Sequence, residues 1–228
     1  TMPDYDLNTP YKIYSNSVLE EISKIEDSAQ KSQAESNALF SQWRNRVVSD
    51  SYEPGSVFKL FVAAAGLEEG AITTTSTYNC TSSIKVANYY QHCYNRKAHG
   101  TQTVAEALPN SCNTYFITLG QKLGKETFNK YFEAFGFTEK TGVDLPSEAA
   151  PAPNKTYYTV DRMGIAELSS ASFGQTFQTT PIQMITAVAS LGNGGKLMTP
   201  YIVDKVLDED GNIISETEPK VKRQVISE

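Results

Sequence analysis

Residues 54–65 carry the sequence PGSVFKLFVAAA, and this segment is the clearest structural signal in the chain. Pro54-Gly55 ends the element before it, and the residues from Ser56 onward are apolar on nearly every side of a helix. A helix with that composition is surrounded by protein, so we expect it to lie at the centre of the domain and to end near Gly66 or Gly70.

Helical periodicity continues on both sides of this segment, with strand and turn signals between the helices. The helical patterns cover residues 18–47, which hold two helices or one interrupted helix, and residues 104–108, 114–123, 126–135 and 180–191. Residues 71–100, rich in Thr, Tyr, Val and Asn, are typical of short strands and loops, and Pro146 to Pro153 is typical of a surface loop. Asp210-Gly211 predicts a hairpin. The mixture predicts an α+β chain.

Composition narrows the class of protein. The 228 residues are 39% hydrophobic and 20% charged, so we interpret residues 1–228 as a single globular unit with its own core. The formal charge of -6, with Lys and Arg interspersed among the acids, argues against a nucleic-acid partner. No apolar run reaches the roughly 18 residues that a membrane helix needs.

Ser56 and Lys59 are the first candidate catalytic pair. One helical turn places them on the same face, with the Ser at the helix N-terminus. Burial disfavours the charged form of a Lys, so Lys59 could take the Ser56 proton and activate the hydroxyl. Alone the pattern is weak, because Ser56 could be an ordinary helix cap and because two other pairs share the spacing, Ser28 with Lys31 and Ser82 with Lys85.

A second polar motif strengthens the interpretation of Ser56. Ser111-Cys112-Asn113 follows Pro109-Asn110 and precedes another predicted helix. A second Ser can relay a proton to a leaving group, and an Asn amide can orient the Lys and bind a substrate carbonyl.

These segments resemble a known family. Residues 52–59, YEPGSVFK, and 110–113, NSCN, are similar to the first and second motifs of class B penicillin-binding proteins. Other segments resemble that family's connecting segments in the same order: Pro3 to Asn8, Asn45 to Asp50, His99 to Thr103, Ser172 to Gln175 and Thr180 to Gln183.

The resemblance implies a fold and a reaction. The fold is the helix-rich part of the penicillin-binding-protein and serine β-lactamase-like transpeptidase fold, an antiparallel sheet flanked by helices. The reaction is D,D-transpeptidation, in which peptidoglycan stem peptides are joined through a Ser56 acyl-enzyme that β-lactams mimic. Lys59, Ser111 and Asn113 would be the other catalytic residues, with no cofactor required.

The resemblance also implies a cellular setting. The domain would lie on the extracytoplasmic face of the bacterial membrane, anchored by an upstream helix that is not in this chain. Its partners would be stem peptides, β-lactam antibiotics and other cell-wall synthesis proteins.

The family's third motif, Lys-Thr/Ser-Gly, is expected on a strand after the hairpin near Asp210-Gly211, and it is not found there. Lys140-Thr141-Gly142 has the letters but lies in a loop-like stretch, where it resembles a structural segment of the family. We therefore expect the chain to be an excerpt that lacks sheet strands at both ends and that is poorly active alone.

Two alternative functions share these features. A β-lactam-hydrolysing or β-lactam-sensing relative would use the same Ser and Lys chemistry, whereas a non-catalytic scaffold of the cell-wall machinery would keep the fold without the reaction. The presence of all four polar residues favours the transpeptidase, because a scaffold does not need them.

A cluster of Cys and His residues suggests a structural zinc site. Cys80, Cys93 and His99 are the better ligand set, because His92 adjoins Cys93 and would point to the opposite face of an extended strand. The fourth ligand would be missing or would come from elsewhere, an Asp being one candidate. A Cys80–Cys93 disulfide and two buried thiols with surface His residues remain equal alternatives.

Overall fold

The computed structural model describes residues 5–228, so the predicted connecting segment at residues 3–8 lies partly outside the described residues. The described chain is an alternation of helices and short strands. The helices are α1 (Asn16–Ser23), α2 (Ser28–Trp43), α3 (Arg46–Ser49), α4 (Lys59–Glu68), α5 (Val104–Ala107), α6 (Asn113–Ala134), α7 (Ile165–Ala171) and α8 (Pro181–Gly192). The α+β composition is the one predicted.

The strands pair as antiparallel neighbours. They are β1 (Thr77–Cys80), β2 (Ser83–Val86), β3 (Tyr89–His92), β4 (Gly100–Thr103), β5 (Lys196–Thr199), β6 (Lys205–Leu207), β7 (Ile213–Glu216) and β8 (Lys220–Gln224). Within residues 5–228 they form four two-stranded sheets, β1-β4, β2-β3, β5-β8 and β6-β7. The register of the first sheet places Cys80 opposite Gly100, so the end of β1 lies beside His99, which immediately precedes β4.

The segment from Phe58 through α4 lies at the centre of the core, as predicted. Phe58, Phe61 and Val62 are each 2% exposed. The Phe58 ring meets Phe177 edge-on with 4.6 Å between the ring centroids, and further aromatic rings from α6 and the turn after it surround it. Such aromatic pairs add to the free energy gained from burial. The core therefore holds the start of α4 in one orientation.

Two details of the helices differ from or refine the prediction. The helix expected to open at Ser56 begins instead as a 3₁₀ turn, Gly55–Phe58, and becomes α-helical at Lys59. Tight 3₁₀ turns are common at helix starts. The two predicted patterns at 114–123 and 126–135 are both present in α6, separated at Gly124, whose φ of +76° breaks the helix.

The terminal regions carry the remaining predicted elements. The first helical pattern forms separate helices, as one of the two alternatives predicted, but the break lies at residues 24–27, where Asp27 caps α2. The polar stretch at residues 30–38, where the apolar pattern is interrupted, is helical and belongs to α2. The hairpin predicted at Asp210-Gly211 is the β6-β7 pair. No helix among the described residues is long and apolar enough to cross a membrane.

Candidate active site

Ser56 and Lys59 meet at the start of α4. The Ser56 side chain is exposed, whereas Lys59 is buried, with 1% of its surface accessible. Lys59 Nζ lies 3.1 Å from Ser56 Oγ. A solvent-facing hydroxyl is therefore in contact with an amine that comes from the protein interior, and the 3₁₀ turn holds the two groups together.

The remaining predicted residues are Ser111, in the loop before α6, and Asn113, the first residue of α6. Lys59 Nζ lies 2.9 Å from Ser111 Oγ and donates to Ser111 O and to Asn113 Oδ1, both at 2.7 Å. Ser111 Oγ also lies 2.8 Å from Ser56 Oγ. Ser111 has a φ of +47°, a left-handed conformation that is uncommon outside glycine, and in it both oxygens of this residue face Lys59. The structure thus brings together all four predicted catalytic residues.

Burial sets the protonation of Lys59. Desolvation lowers its pKa from 10.5 to about 8, and the nearby Cys112 and Cys93 oppose this shift. The two carbonyl oxygens that Lys59 contacts can only accept, so they take two N–H groups. In the neutral amine the remaining lone pair is left for the hydroxyls of Ser56 and Ser111. Lys59 can therefore accept a proton from either Ser.

A pocket of about 320 Å³ opens above these groups. Ser56, Ser111 and Asn113 line its floor, and its wall includes residues from two other segments: Tyr94, Asn95, His99, Phe173 and Gln175. The pocket size is within the range of small-molecule sites. The exposed hydroxyl of Ser56 is therefore accessible to a ligand with polar groups on several sides.

The segment around Gly174 forms one side of this pocket, and its backbone lies very close to the backbone of Gly55. Gly55 N donates to Gly174 O at 2.8 Å, and Tyr52 pairs with Thr179 in an antiparallel bridge. Gly174 has a φ of +87°, and a Cβ at this position would lie 1.8 Å from Gly55 O. Only glycine fits both constraints, so Gly174 allows this segment to pack against the turn that holds Ser56.

The predicted Cys and His cluster lies directly beneath the loop before α6. Cys80, Cys93 and His99 come together there, while the His92 side chain is exposed and outside the cluster. The fourth member is Cys112 rather than the Asp considered above, and the four ligand atoms all lie within 4.8 Å of one another. Cys112 was missed because it lies inside the Ser111-Cys112-Asn113 motif. The sequence does hold one clue, since Cys112 is the only cysteine besides Cys80 and Cys93.

The cluster has an unequal electrostatic environment. Burial alone would raise the pKa of the Cys80 thiol, but hydrogen bonds from Thr114 and from the backbone at His99 and Ser82 lower it to about 6. Burial raises the pKa of Cys112 to about 11. Hydrogen-bond donors that stabilise a thiolate are thus concentrated on Cys80.

Comparison with known proteins identifies the family. The model of the penicillin binding protein transpeptidase domain matches residues 17–228. This chain belongs to the penicillin-binding-protein transpeptidase family. The predicted resemblance is therefore confirmed, and so is the fold class, since solved transpeptidase domains of this family share the fold.

Individual relatives of this transpeptidase-family chain cover most of it. Stage V sporulation protein D of Bacillus subtilis (strain 168) is 39% identical over 187 residues, 81% of this chain and 28% of that protein. Peptidoglycan D,D-transpeptidase MrdA of Acinetobacter baumannii is 31% identical over 166 residues, 70% of this chain and 25% of that protein. The chain thus spans about a quarter of the length of these curated relatives.

A solved structure gives the same match in three dimensions. Penicillin-binding protein A of M. tuberculosis, described as a ceftriaxone acyl-enzyme complex, has a TM-score of 0.72 and 26% identity to this chain. The match covers 100% of this chain and 48% of that one.

Two of the connecting segments predicted from the family form helix caps. Asn45 accepts from Val47 N and so caps α3. Thr180 and Gln183 form a reciprocal cap at the start of α8, and Gln183 Nε2 donates to Glu139 O. These segments of the penicillin-binding-protein domain are used for caps and for contacts between elements, which stabilise helix ends.

Lys140-Thr141-Gly142 makes its hydrogen bonds with residues outside the Ser56 site. The buried carboxylate of Glu148 accepts from Thr141 N and Thr141 Oγ1, both at 2.6 Å, and from Gly142 N at 3.1 Å. None of these three residues lines the pocket above Ser56. The donors of Thr141 and Gly142 are therefore occupied within the loop itself.

Proposed function

We propose that this chain carries the Ser-x-x-Lys and Ser-x-Asn part of a peptidoglycan D,D-transpeptidase domain. The single observation that carries the proposal is the contact of Lys59 Nζ with Ser56 Oγ and with both oxygens of Ser111, beneath an open pocket. Relatives named as peptidoglycan D,D-transpeptidases support the same activity. The domain would act on the extracytoplasmic side of the membrane, where peptidoglycan is assembled.

The reaction follows from the positions of these groups. Ser56 Oγ attacks the carbonyl carbon between the two terminal D-Ala residues of a stem peptide, and its proton passes to Lys59 Nζ directly or through Ser111. The C–N bond breaks, the terminal D-Ala leaves as an amine, and the proton is returned to it. The amine of a second stem peptide then attacks the Ser56 ester, which forms the cross-link and restores the hydroxyl.

A β-lactam follows the first half of this path. Its ring amide takes the place of the D-Ala–D-Ala bond, and the C–N bond of the ring opens as Ser56 Oγ forms an ester. The leaving amine stays attached to the acyl group, so it cannot diffuse away. The structure of penicillin-binding protein A as a ceftriaxone acyl-enzyme supports this expectation for a relative.

The proposal assigns a structural role to Lys140-Thr141-Gly142. Because Glu148 accepts from Thr141 and Gly142, their donors are not free for a substrate carboxylate or an oxyanion. We propose that the third motif of the active site is a different Lys-Thr/Ser-Gly segment and that residues 1–228 alone acylate slowly.

The test is intact-mass analysis of the longest natural form of the protein after exposure to a penicillin. We expect one adduct with the mass of the antibiotic, absent from Ser56→Ala. Ser28→Ala is the matched control, because Ser28 and Lys31 share the spacing but lie on the exposed helix α2. Loss of the adduct in Ser28→Ala, or no adduct in folded protein, would contradict the proposal.

A second measurement separates this function from the two alternatives. A D,D-transpeptidase keeps the acyl group for a long time, whereas a β-lactamase releases it, so rapid turnover of a chromogenic cephalosporin would favour hydrolysis. Formation of cross-linked product from a pentapeptide donor and an amine acceptor, lost in Ser56→Ala, would support transpeptidation over sensing or a scaffold role.

A further inference from the structure

We propose that Cys80, Cys93, His99 and Cys112 bind one structural zinc ion, and that this ion positions Ser111 and Asn113 in the active site. The metal site stands on geometry that is independent of the reaction. The positioning effect on acylation rests on the proposed function.

Four of the six distances between the ligand atoms match a tetrahedral zinc site, and all six are within 4.8 Å. The Cys93 sulfur lies 3.7 Å from that of Cys80 and 3.8 Å from that of Cys112. His99 Nδ1 lies 3.6 Å from the Cys80 sulfur and 3.8 Å from the Cys93 sulfur. With Zn–S bonds of about 2.3 Å and Zn–N bonds of about 2.1 Å, a tetrahedron has S–S edges of about 3.8 Å and S–N edges of about 3.6 Å.

The chemistry of the donors favours zinc over other common ions. Three sulfurs and one imidazole nitrogen are the ligands of structural Cys₃His zinc sites, and they do not suit magnesium or calcium, which prefer oxygen. Cys80 and Cys93 are 1% exposed, Cys112 is 0% exposed and His99 is half-buried, so the sulfur side of the ion would be closed off from solvent as in structural sites. Thr114 Oγ1 donates to the Cys80 sulfur at 3.2 Å, which orients that ligand from behind.

A disulfide explains fewer of these contacts. The Cys93 sulfur is about equally close to two other sulfurs, and both separations exceed the bond length of about 2.05 Å. A Cys80–Cys93 bond would leave Cys112 and His99 without a role. Convergence of all three cysteines with one of the two histidines is what a single central ion requires.

The four ligands come from separate elements, so a bound ion would join them. Cys80 ends β1, Cys93 follows β3, His99 precedes β4, and Cys112 immediately precedes α6. The seven-residue loop from Cys93 to His99 carries no helix or strand of its own, and Tyr94, Asn95 and His99 in it line the pocket above Ser56. The ion would therefore hold one wall of that pocket.

The same ion would hold the Ser-x-Asn motif from two sides. Cys112 lies between Ser111 and Asn113, so fixing its sulfur fixes the backbone that presents both side chains to Lys59. Asn113 Nδ2 also donates to His92 O at 2.9 Å, next to Cys93. Ser111 keeps a left-handed φ of +47°, a conformation that persists only where the surroundings enforce it.

Metal content of protein purified without chelators tests the site. We expect about one zinc per chain, restored by zinc alone after chelation. His99→Ala and Cys112→Ser should weaken zinc binding about 10-fold or more. His92→Ala is the matched control, because His92 is the only other histidine and its side chain is exposed. Zinc-free protein that does not take up added zinc, or equal loss in His92→Ala, would overturn the site.

A measurement on the unmodified chain guards against misfolded variants. Cobalt(II) in place of zinc should give thiolate-to-metal charge-transfer absorption and the strong visible bands of a tetrahedral ion. Denaturation in chelator should release three free thiols per chain, since the sequence has three cysteines. A chain two hydrogens lighter, with one free thiol, would show a disulfide and overturn the proposal.

The positioning effect has two readouts. Removing zinc should increase amide hydrogen exchange at residues 110–114 while leaving α4 protected, and should slow acylation of Ser56 by a penicillin about 10-fold or more. Unchanged exchange and unchanged acylation in zinc-free protein would overturn the positioning role. Failure of the zinc-loaded protein to acylate would contradict the proposed function instead, while metal content and exchange would still decide the zinc proposal.

Discussion

Lys59 and Asn113 are joined by a hydrogen bond of 2.7 Å between Nζ and Oδ1, although 54 positions separate them in the chain. Asn113 lies at the first position of α6, and its amide nitrogen donates to the backbone oxygen of His92, the last residue of β3. The proposed base is thus held between α4, α6 and the end of β3. Its environment depends on all three elements, so both its pKa and its position can be altered from outside the α4 segment.

Replacing Lys59 by Met should separate activity from stability. Met fills a similar volume without a charge, so folding of the variant does not remove an amine from water. We therefore expect thermal unfolding at an unchanged or higher temperature. Acylation by a penicillin should slow by about 100-fold or more, the usual contribution of a general base. Lys31→Met on α2 is the control and should change neither quantity. Normal acylation in Lys59→Met would contradict the role as base.

The acylation rate should depend on the lowered pKa of Lys59. Since the neutral amine is the base and its pKa is about 8, the rate should rise as pH increases through about 8 and then level off. An ordinary Lys would keep the rate rising to about pH 10. The measurement is the second-order rate of penicillin acylation from pH 6 to 10, and a flat profile over this range would exclude Lys59 as the titrating base.

The same pKa shift predicts a pH dependence of folding. The pKa of Lys59 falls from 10.5 in the unfolded chain to about 8 in the folded chain, so between these values the unfolded chain binds one more proton. Stability therefore rises with pH across this window, and below it the titration of Lys59 adds no pH dependence. The free energy of unfolding of the native chain minus that of Lys59→Met should increase from pH 8 to 10.5. A difference that stays constant or falls would contradict the shift.

Gly174 should be intolerant of a side chain. An added Cβ would lie 1.8 Å from Gly55 O, so Gly174→Ala must separate the Gly174 segment from the turn that holds Ser56. We expect a loss of stability of about 2–4 kcal/mol and slower acylation.

Gly211→Ala is the matched control for this substitution. Gly211 has a similar φ, +85° against +87°, but nothing lies within 4 Å of its Cβ position. It should lose only about 1–2 kcal/mol, the cost of the left-handed conformation, with no change in acylation. Equal effects of the two substitutions on urea unfolding and on acylation would show that the close approach is unimportant.

The local features of this fold could be predicted because they depend on neighbours in the chain. The apolar run after Ser56 predicts a buried helix, and a spacing of three residues brings Ser56 to Lys59 whatever the rest of the chain does. Turn residues likewise predicted the hairpin at Asp210-Gly211. Among these local features, the structure differs from the prediction at helix ends, such as the 3₁₀ turn at Gly55–Phe58, where the hydrogen-bond pattern depends on packing.

Long-range placement could not be predicted from local pattern. Ser28 with Lys31 and Ser82 with Lys85 have the spacing of Ser56 with Lys59, and only the folded chain brings one of these pairs to Ser111 and Asn113. Cys112 is the clearest case. Its backbone neighbours are fixed by sequence, but its sulfur reaches Cys93 only because the start of α6 packs against the end of β3. Sequence sets which groups are present and their spacing along one helix, whereas the pairing of distant segments sets which of them share a site.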